Sequence, residues 1–162
     1  MLPELSAMYR EHAAAVWRYA RSRLPTDADA EDVTSDVFAR AMRSTHTYDA
    51  TKGSPRAWLT GIARHSTADW WRRRRPEDPR GDLPDAAAPD DPSEEAFRDE
   101  RVDAVREVLC LLSEREQEAI ALRFAAELTS AEIGEQLGIS PTAARMLVHR
   151  AVTKLRGVLS DD

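Results

Sequence analysis

A proline-rich, acidic segment divides this chain into two parts. Five prolines, one glycine and three consecutive alanines lie between Pro76 and Pro92, among several acidic residues and without regularly spaced apolar residues. Proline fixes φ and removes a backbone donor, so this segment suits neither a helix nor a sheet. We therefore expect a flexible acidic linker over residues 76–93, with one domain over residues 1–75 and another over residues 94–162.

Both flanking parts have the apolar spacing of amphipathic α-helices. Apolar residues recur at intervals of three and four, and no segment alternates with a period of two. In the first part the pattern predicts helices over about residues 3–24, 28–43 and 55–75, with Thr26 and Ser54 as N-caps. In the second part it predicts a helix from about Glu94 to Leu112, buried through Val102, Val105, Leu109 and Leu112. Three further helices would begin after Ser113, Thr129 and Ser140. The predicted fold class is all-α, with two small helical domains.

The charge of the chain is unevenly distributed. The net charge is -6, yet residues 1–75 carry 13 basic against 9 acidic residues. Residues 76–100 carry 2 against 10, and residues 101–162 carry 8 against 10. Because the acidity is concentrated around the linker, the net charge does not exclude a nucleic-acid partner.

Several classes of protein are disfavoured by composition. The single cysteine, Cys110, excludes an internal disulfide and a cysteine-based zinc site, and its apolar neighbours predict a core position. The histidines are dispersed along the chain, so we predict no catalytic residue, no metal, no cofactor and no enzymatic activity. No apolar run approaches the roughly 18 residues of a membrane span, and the N-terminus lacks a signal pattern. These features predict a cytoplasmic protein without a membrane span.

The segment from Thr129 to Arg156 has the pattern of a helix-turn-helix. Gly134 and Gly138 stand where two helices would cross and turn, with apolar residues spaced to set the angle between them. The inward positions of the last helix would be Ala144, Leu147, Val148, Ala151 and Leu155. The outward positions, which would face a DNA groove, are Thr142, Arg145, Met146, His149, Arg150 and Thr153. Arginine binds both guanine edges and phosphates, so Arg145 and Arg150 are candidates for either contact.

The third predicted helix ends in a basic, aromatic cluster. A helical wheel predicts an apolar side of Trp58, Leu59, Ile62, Ala63 and Trp70. It predicts an outer side of Arg56, Thr60, Arg64, Thr67, Trp71 and Arg72. Arginines contact phosphates, and an exposed tryptophan offers a face on which an unpaired base stacks. The same arginines also complement the dipole at a helix C-terminus, so the residues alone leave both interpretations open.

The second predicted helix has an acidic face. Asp29, Asp32 and Asp36 share one arc, opposite Ala30, Val33, Val37, Phe38 and Ala41. Asp36 can pair with Arg40 four residues later, whereas the first two aspartates lack such a neighbour. The face is therefore either a solvated helix surface or a binding surface for a partner.

Several of these motifs occur together in one order. The helix-turn-helix is preceded, in this order, by the run Asp29–Phe38, the run Arg56–Arg64, the arginine cluster, the linker and Leu112–Glu116. This arrangement resembles the extracytoplasmic-function (ECF) group of the sigma-70 family over most of the chain. The resemblance implies regions 2 and 4 of a sigma factor without a region 3 domain. It also implies binding to the beta-prime and beta subunits of core RNA polymerase, and to promoter DNA.

The resemblance also implies roles for individual residues. Those matching the polymerase-binding motif are Asp29, Glu31, Asp32, Val33, Asp36 and Phe38. The loop from Thr45 to Ser54 matches one that holds a flipped minus-ten base. Those matching the minus-ten helix are Arg56, Arg64, His65, Trp71, Arg72, Arg73, Arg74 and Arg75. Those matching the helix that binds the minus-thirty-five duplex are Thr142, Arg145, Met146, His149 and Arg150.

The chain departs from the family pattern at four positions. Ser35 replaces the usual glutamine, and His65 replaces an asparagine that many members carry near the melted strand. Leu147 and Val152 stand where relatives often have arginine. Duplex recognition should therefore depend on Arg145, His149 and Arg150.

The resemblance further implies control by an anti-sigma factor, which could insert between two loosely tethered domains and cover both functional faces. Two alternatives to a sigma factor remain. A LuxR-type helix-turn-helix regulator would account for Leu112–Glu116, but its receiver domain would require β-strands that the first half does not suggest. An enzyme acting on DNA would require a clustered catalytic set, which the spacing does not indicate.

Overall fold

The computed structural model describes residues 4–74 and 106–160. The first domain is formed by α1 (Leu5–Arg23), α2 (Asp27–Arg43) and α3 (Pro55–Arg74). All three helices contact one another, and their apolar sides enclose a core that includes Met8, Tyr19, Val37 and Leu59. A single 3₁₀ turn at Thr45–Thr47 interrupts the loop between α2 and α3.

Local capping defines the helix ends of this domain. The Thr26 hydroxyl accepts a hydrogen bond from the Asp29 amide at 3.1 Å, and the Ser54 hydroxyl accepts one from the Ala57 amide at 3.2 Å. These bonds satisfy amides that the first helical turn leaves without a backbone partner. The predicted helices of this half are therefore confirmed, with ends that differ by no more than two residues.

From Glu114 to Ser160, the second domain forms α4 (Glu114–Ile120), α5 (Ser130–Leu137) and α6 (Pro141–Ser160). A π-helical turn at Ala121–Ala125 extends α4. Complete capping boxes, Ser113 with Glu116 and Thr129 with Glu132, begin α4 and α5. Neither described range contains a β-strand, which confirms the all-α prediction and disfavours a receiver-type first half.

The predicted helix from Glu94 to Leu112 is corrected at its C-terminal end. Residues 94–105, with Val102 and Val105, lie outside the described residues. Residues 106–109 are helical, but the chain then turns, and the amides of Leu111 and Leu112 bond to carbonyls three residues back. This turn buries Leu112 and leaves Cys110 exposed, so the predicted core position of the cysteine is wrong.

The two domains pack directly against each other. Leu122, Leu128 and Ile133 of the second domain belong to the same buried cluster as Tyr19 and Leu59 of the first. Part of the contact is made by α1 and the π-helical turn. Buried apolar residues from both domains thus form a common core.

A buried carboxylate links the two ends of the second domain. Glu116 Oε1 accepts hydrogen bonds from Lys154 Nζ at 2.8 Å and from the Ser113 amide at 3.1 Å. The lysine, followed by Ser113, lowers the pKa of the Glu116 carboxyl from 4.5 to about 2. A depressed pKa in the folded state means that ionised Glu116 stabilises the fold above pH 4.5 and that this contribution is lost as the pH falls towards 2.

Replacing Lys154 by methionine should therefore lower the free energy of unfolding at neutral pH, because the buried carboxylate loses its charged partner. The same variant should show a shallower loss of stability between pH 4.5 and 2 than the unaltered chain. Urea unfolding at a series of pH values measures both effects. Arg156→Met, an exposed cation on the same helix, is the matched control. Equal pH slopes for K154M and the unaltered chain would contradict the pairing.

Candidate functional site

The acidic face of α2 is partly exposed. Glu31 and Asp32 are exposed, whereas Asp36 is half-buried and lies 2.9 Å from Arg40 Nε. Asp29 accepts a hydrogen bond from the Thr26 hydroxyl and lies 3.8 Å from Arg74 Nη2. The expectation that Asp29 lacks a basic partner is therefore corrected, and Asp32 is the freely accessible member of the three aspartates.

Two apolar residues of the polymerase-binding set do not lie on this face. Val33 and Phe38 are 4% and 6% exposed and belong to the core of the first domain. The Phe38 ring meets Tyr9 edge-on, with their centroids 4.9 Å apart. Both side chains therefore lie in the core beneath the acidic face, and their part in polymerase binding stays a prediction. The helical wheel indicates this burial, since both residues lie on its apolar arc.

An open cleft lies beside the loop between α2 and α3. It has a volume of about 500 Å³, and its lining includes Thr47, Asp49, Trp58 and His65. Trp58 Nε1 donates to the Thr47 hydroxyl at 3.1 Å, which fixes one wall. Hydrogen bonds from Thr51 lower the pKa of the Asp49 carboxyl, so the loop presents a carboxylate next to aromatic and cationic side chains.

The predicted outer side of α3 is corrected at two threonines. Thr60 and Thr67 are buried, and their hydroxyls donate to the backbone carbonyls of Arg56 and Ala63. A threonine that satisfies its hydroxyl within its own helix can be buried without an unpaired polar group. The buried side of α3 thus includes both threonines, while Trp58 and Trp70 are only half-buried.

Trp71 does not present a free ring. It is half-buried, its indole N–H donates to the Arg23 carbonyl at 3.0 Å, and its ring meets Trp70 edge-on. The prediction of an exposed stacking surface at Trp71 is therefore wrong, because the indole connects the C-terminal ends of α1 and α3.

The described arginines at the end of α3 are exposed. Arg72 pairs with Asp69, and the Arg74 guanidinium lies 4.3 Å from the centre of the Trp70 ring. His65 is also exposed. Arg75 lies outside the described residues. These side chains form a cationic surface at the C-terminal end of α3.

The other two arginines of the minus-ten set face the second domain. Arg56 Nη1 donates to Glu127 at 2.9 Å, and Arg64 Nε donates to Glu118 at 2.8 Å. Neither acidic partner stands out in the sequence, because each is more than 50 residues away from its arginine. Only the contact between the domains brings these pairs together.

The helix-turn-helix has the predicted close crossing. A Cβ atom at Gly134 would lie 2.6 Å from the Ile139 carbonyl oxygen, so only glycine fits there. Gly138 ends α5 in the left-handed region, with φ 68°. The Ile139 amide, directly after Gly138, donates a hydrogen bond to the Gly134 carbonyl at 2.9 Å, and this bond closes the turn.

The two sides of α6 are as predicted. Ala144, Leu147 and Ala151 are buried, and Val148 and Leu155 are half-buried. Leu147, which stands where relatives often have arginine, is therefore a core residue and not one of the outward positions of the helix. All six residues predicted to face outward are exposed: Thr142, Arg145, Met146, His149, Arg150 and Thr153. The helix thus presents a polar and basic row on the side opposite the core.

Within residues 4–74 and 106–160, no group of three His, Cys, Asp or Glu side chains is placed to hold a metal ion. Among the same residues, no helix is both long and apolar enough to cross a membrane.

Comparison with known families and proteins gives two separate family matches along the chain. The profile of Sigma-70 region 2 matches residues 8–77, and that of Sigma-70, region 4 matches residues 108–157. The chain is 35% identical to the ECF RNA polymerase sigma factor BldN of Streptomyces coelicolor, over 96% of this chain but only 60% of that protein. It is 34% identical to ShbA of Streptomyces griseus (87% and 80% covered) and 30% identical to SigL of Mycobacterium tuberculosis (97% and 89%), both named ECF RNA polymerase sigma factors.

Solved structures share the arrangement of helices. CnrH, in complex with the cytosolic domain of CnrY, superposes with a TM-score of 0.73 at 26% identity, over 98% of this chain and 88% of that one. The sigma factor RpoE of Bartonella quintana, in complex with the anti-sigma factor NepR, gives a TM-score of 0.67 at 18% identity, over 97% of each chain. The second likeness concerns the fold alone.

Proposed function

Because the chain belongs to the extracytoplasmic-function sigma factors of the sigma-70 family, we propose that it binds core RNA polymerase and directs it to a particular set of promoters. The observation that carries this proposal is α6, which buries Ala144, Leu147 and Ala151 and exposes a polar and basic row on its other side. A helix supported in this way can enter the major groove with its side chains facing base edges.

The two domains would divide the work. We assign residues 1–75 to polymerase binding and the minus-ten element, residues 94–162 to the minus-thirty-five element, and residues 76–93 to the linker. In the first domain, Glu31, Asp32 and Asp36 form the acidic surface offered to the polymerase beta-prime subunit. Their carboxylates would pair with cationic side chains of that partner.

The minus-ten element would contact the cleft and the cationic end of α3. The cleft, with Trp58 on its wall, is large enough for an unstacked base, and Arg72, Arg73 and Arg74 offer phosphate contacts. Trp71 supports this surface from beneath, since its indole is bonded to Arg23. Arg56 and Arg64 would join the surface only when the second domain moves away from them.

Arg145→Ala should weaken binding to the upstream duplex element by about 1–3 kcal/mol, because a bidentate contact to guanine contributes that much discrimination. Strand opening, tested on a premelted template, should change little, because that step depends on the first domain. Gel-shift titration and permanganate footprinting measure the two effects separately. Arg156→Ala, an exposed arginine nearer the end of α6, serves as the control. Equal losses in both assays would contradict the proposed division.

We expect regulation by a protein that binds the sigma factor. CnrH, 26% identical to this chain, is held by the cytosolic domain of a second protein. An anti-sigma factor acting on this chain would bind the surfaces that polymerase and DNA require. With these partners, the protein would act in the cytoplasm as an initiation factor that performs no catalysis itself.

Reconstituted transcription tests the proposal as a whole. Core polymerase with the purified chain, supplied with a genomic promoter library, should produce transcripts from a limited set of promoters that share two spaced elements. Core polymerase alone is the control. Transcription no greater than that of core polymerase alone would contradict the proposed function.

A further inference from the structure

Met146 is an apolar residue in the middle of the outward side of α6. It is 58% exposed, while Thr142 and Arg150, about one turn before and after it, are polar. A single exposed apolar residue is ordinary on most protein surfaces. This one lies at the centre of the side that we propose to face base edges, so its chemistry bears on which base it meets.

Charge is unevenly distributed along α6. Residues 141–148 contain one charged side chain, Arg145, whereas residues 149–156 contain three. In the first half Ala143 is exposed together with Met146, and residues three positions apart lie next to each other on a helix. Phosphates are bound mainly by cations, and the N-terminal residues of such a helix contact base edges. The exposed apolar pair therefore lies on the part of α6 that is better suited to bases than to phosphates.

The start of α6 is held in a fixed position. The Ser140 hydroxyl accepts a hydrogen bond from the Ala143 amide at 3.1 Å, which caps the helix. Ala144 and Leu147, which flank Met146 along the chain, are 0% and 8% exposed. Their packing fixes the backbone of Met146 and leaves its side chain in solvent. A methionine, with three rotatable side-chain bonds, can then adapt to an apolar group in the groove.

Among the four bases, only thymine offers a methyl group in the major groove. Cytosine, the other pyrimidine, presents an N4 amino donor there. The methionine thioether donates no hydrogen bond and accepts one only weakly, so it would leave that donor unpaired. An unpaired polar group is costly once water is excluded, whereas contact between two apolar groups is favourable. The chemistry of Met146 thus favours a T·A pair over a C·G pair.

We propose that Met146 determines specificity in the upstream element by contacting the C5-methyl group of one thymine. This contact adds a discrimination that neither Arg145 nor Arg150 supplies, because a guanidinium binds guanine edges or phosphates. The inference rests on the proposed function of α6 and names the chemistry of one base that the helix recognises.

The test uses holoenzyme formed from core polymerase and the full-length chain. Transcription from the genomic promoter library first defines the upstream element. A duplex with that element is then made with each thymine, one at a time, replaced by 2′-deoxyuridine, which removes the methyl group and keeps the base pair. Gel-shift titration gives the ratio of the dissociation constants of the uracil and thymine duplexes. At one position this ratio should be about four, the fold-change that corresponds to burial of one methyl group.

Met146→Ala should abolish this difference, so that the uracil and thymine duplexes bind equally well. Met42→Ala is the matched control, because it makes the same change at a methionine of α2 that is 64% exposed. The control should keep the ratio of the unaltered chain. A 5-methylcytosine at the sensitive position should bind the unaltered chain more tightly than cytosine does, and M146A equally well, since it restores the methyl group alone.

The outcomes separate this inference from the proposed function. If every uracil duplex binds as tightly as its thymine counterpart, or if the element contains no thymine, the inference is overturned while promoter-specific transcription still supports the proposed function. A sensitive thymine whose ratio is unchanged in M146A would assign the methyl contact to another residue and overturn the inference as well. Transcription no greater than that of core polymerase alone would contradict the proposed function, and the inference would fail with it.

Discussion

Asp32→Arg is expected to weaken binding to core RNA polymerase by about 2–5 kcal/mol, the usual cost of removing one partner from a buried interfacial charge pair. Asp32 is exposed on α2, while the neighbouring Val33 lies in the core, so the substitution changes the surface without disturbing the packing beneath it. Competition with a labelled sigma factor for core polymerase measures the loss.

The control for this prediction is Glu107→Arg, which makes the same charge reversal at an exposed position of the second domain. It should bind polymerase nearly as well as the unaltered chain. Undiminished binding by D32R would show that the acidic face of α2 is only a solvated helix surface, which the sequence alone leaves open.

Gly134→Ala is expected to destabilise the second domain by about 3 kcal/mol, near the upper end of the usual cost of overpacking. The added methyl group would lie 2.6 Å from the Ile139 carbonyl oxygen, and its other near neighbours are backbone atoms of Ser140 and Pro141. No flexible side chain can move aside to make room. Helices α5 and α6 would therefore have to separate, and binding to the upstream element should decline with stability.

Gly157→Ala supplies the matched comparison. Gly157 lies in the same α6 helix, and a Cβ atom there would have no neighbour within 4 Å. Alanine in that position should stabilise the helix by about 0.5–1 kcal/mol. Hydrogen exchange of the α6 amides measures both variants. If G134A were as stable as G157A, the close crossing of the helix-turn-helix would be refuted.

The features that the sequence predicts well are local ones. Helix starts depend on a capping residue and the amide three positions after it, as at Thr26, Ser113 and Thr129. They can therefore be predicted from the sequence without knowledge of the fold. The helix-turn-helix is equally local, because the glycines and the apolar spacing lie within one short segment. The inward and outward sides of α6 could therefore be assigned residue by residue.

The errors arise where a side chain finds its partner elsewhere or in its own backbone. Thr60 and Thr67 look polar on a helical wheel, but their hydroxyls bond to carbonyls of the same helix, which permits burial. Trp71 looks exposed until the Arg23 carbonyl at the end of α1 comes within 3.0 Å of its indole nitrogen. The contact between Arg64 and Glu118 depends on how the two domains pack together. The spacing of residues within either domain gives no indication of that packing.

The π-helical turn at Ala121–Ala125 bears on how the second domain tolerates changes in chain length. Such a turn holds one residue more than an α-helical turn of similar rise, so a one-residue deletion there can be absorbed by a return to α-helical bonding. The same deletion within α6 would rotate every later side chain by about 100° and turn Arg150 away from the side it shares with Arg145. Insertions and deletions among relatives should therefore collect at this turn and be absent from the helix-turn-helix that follows it.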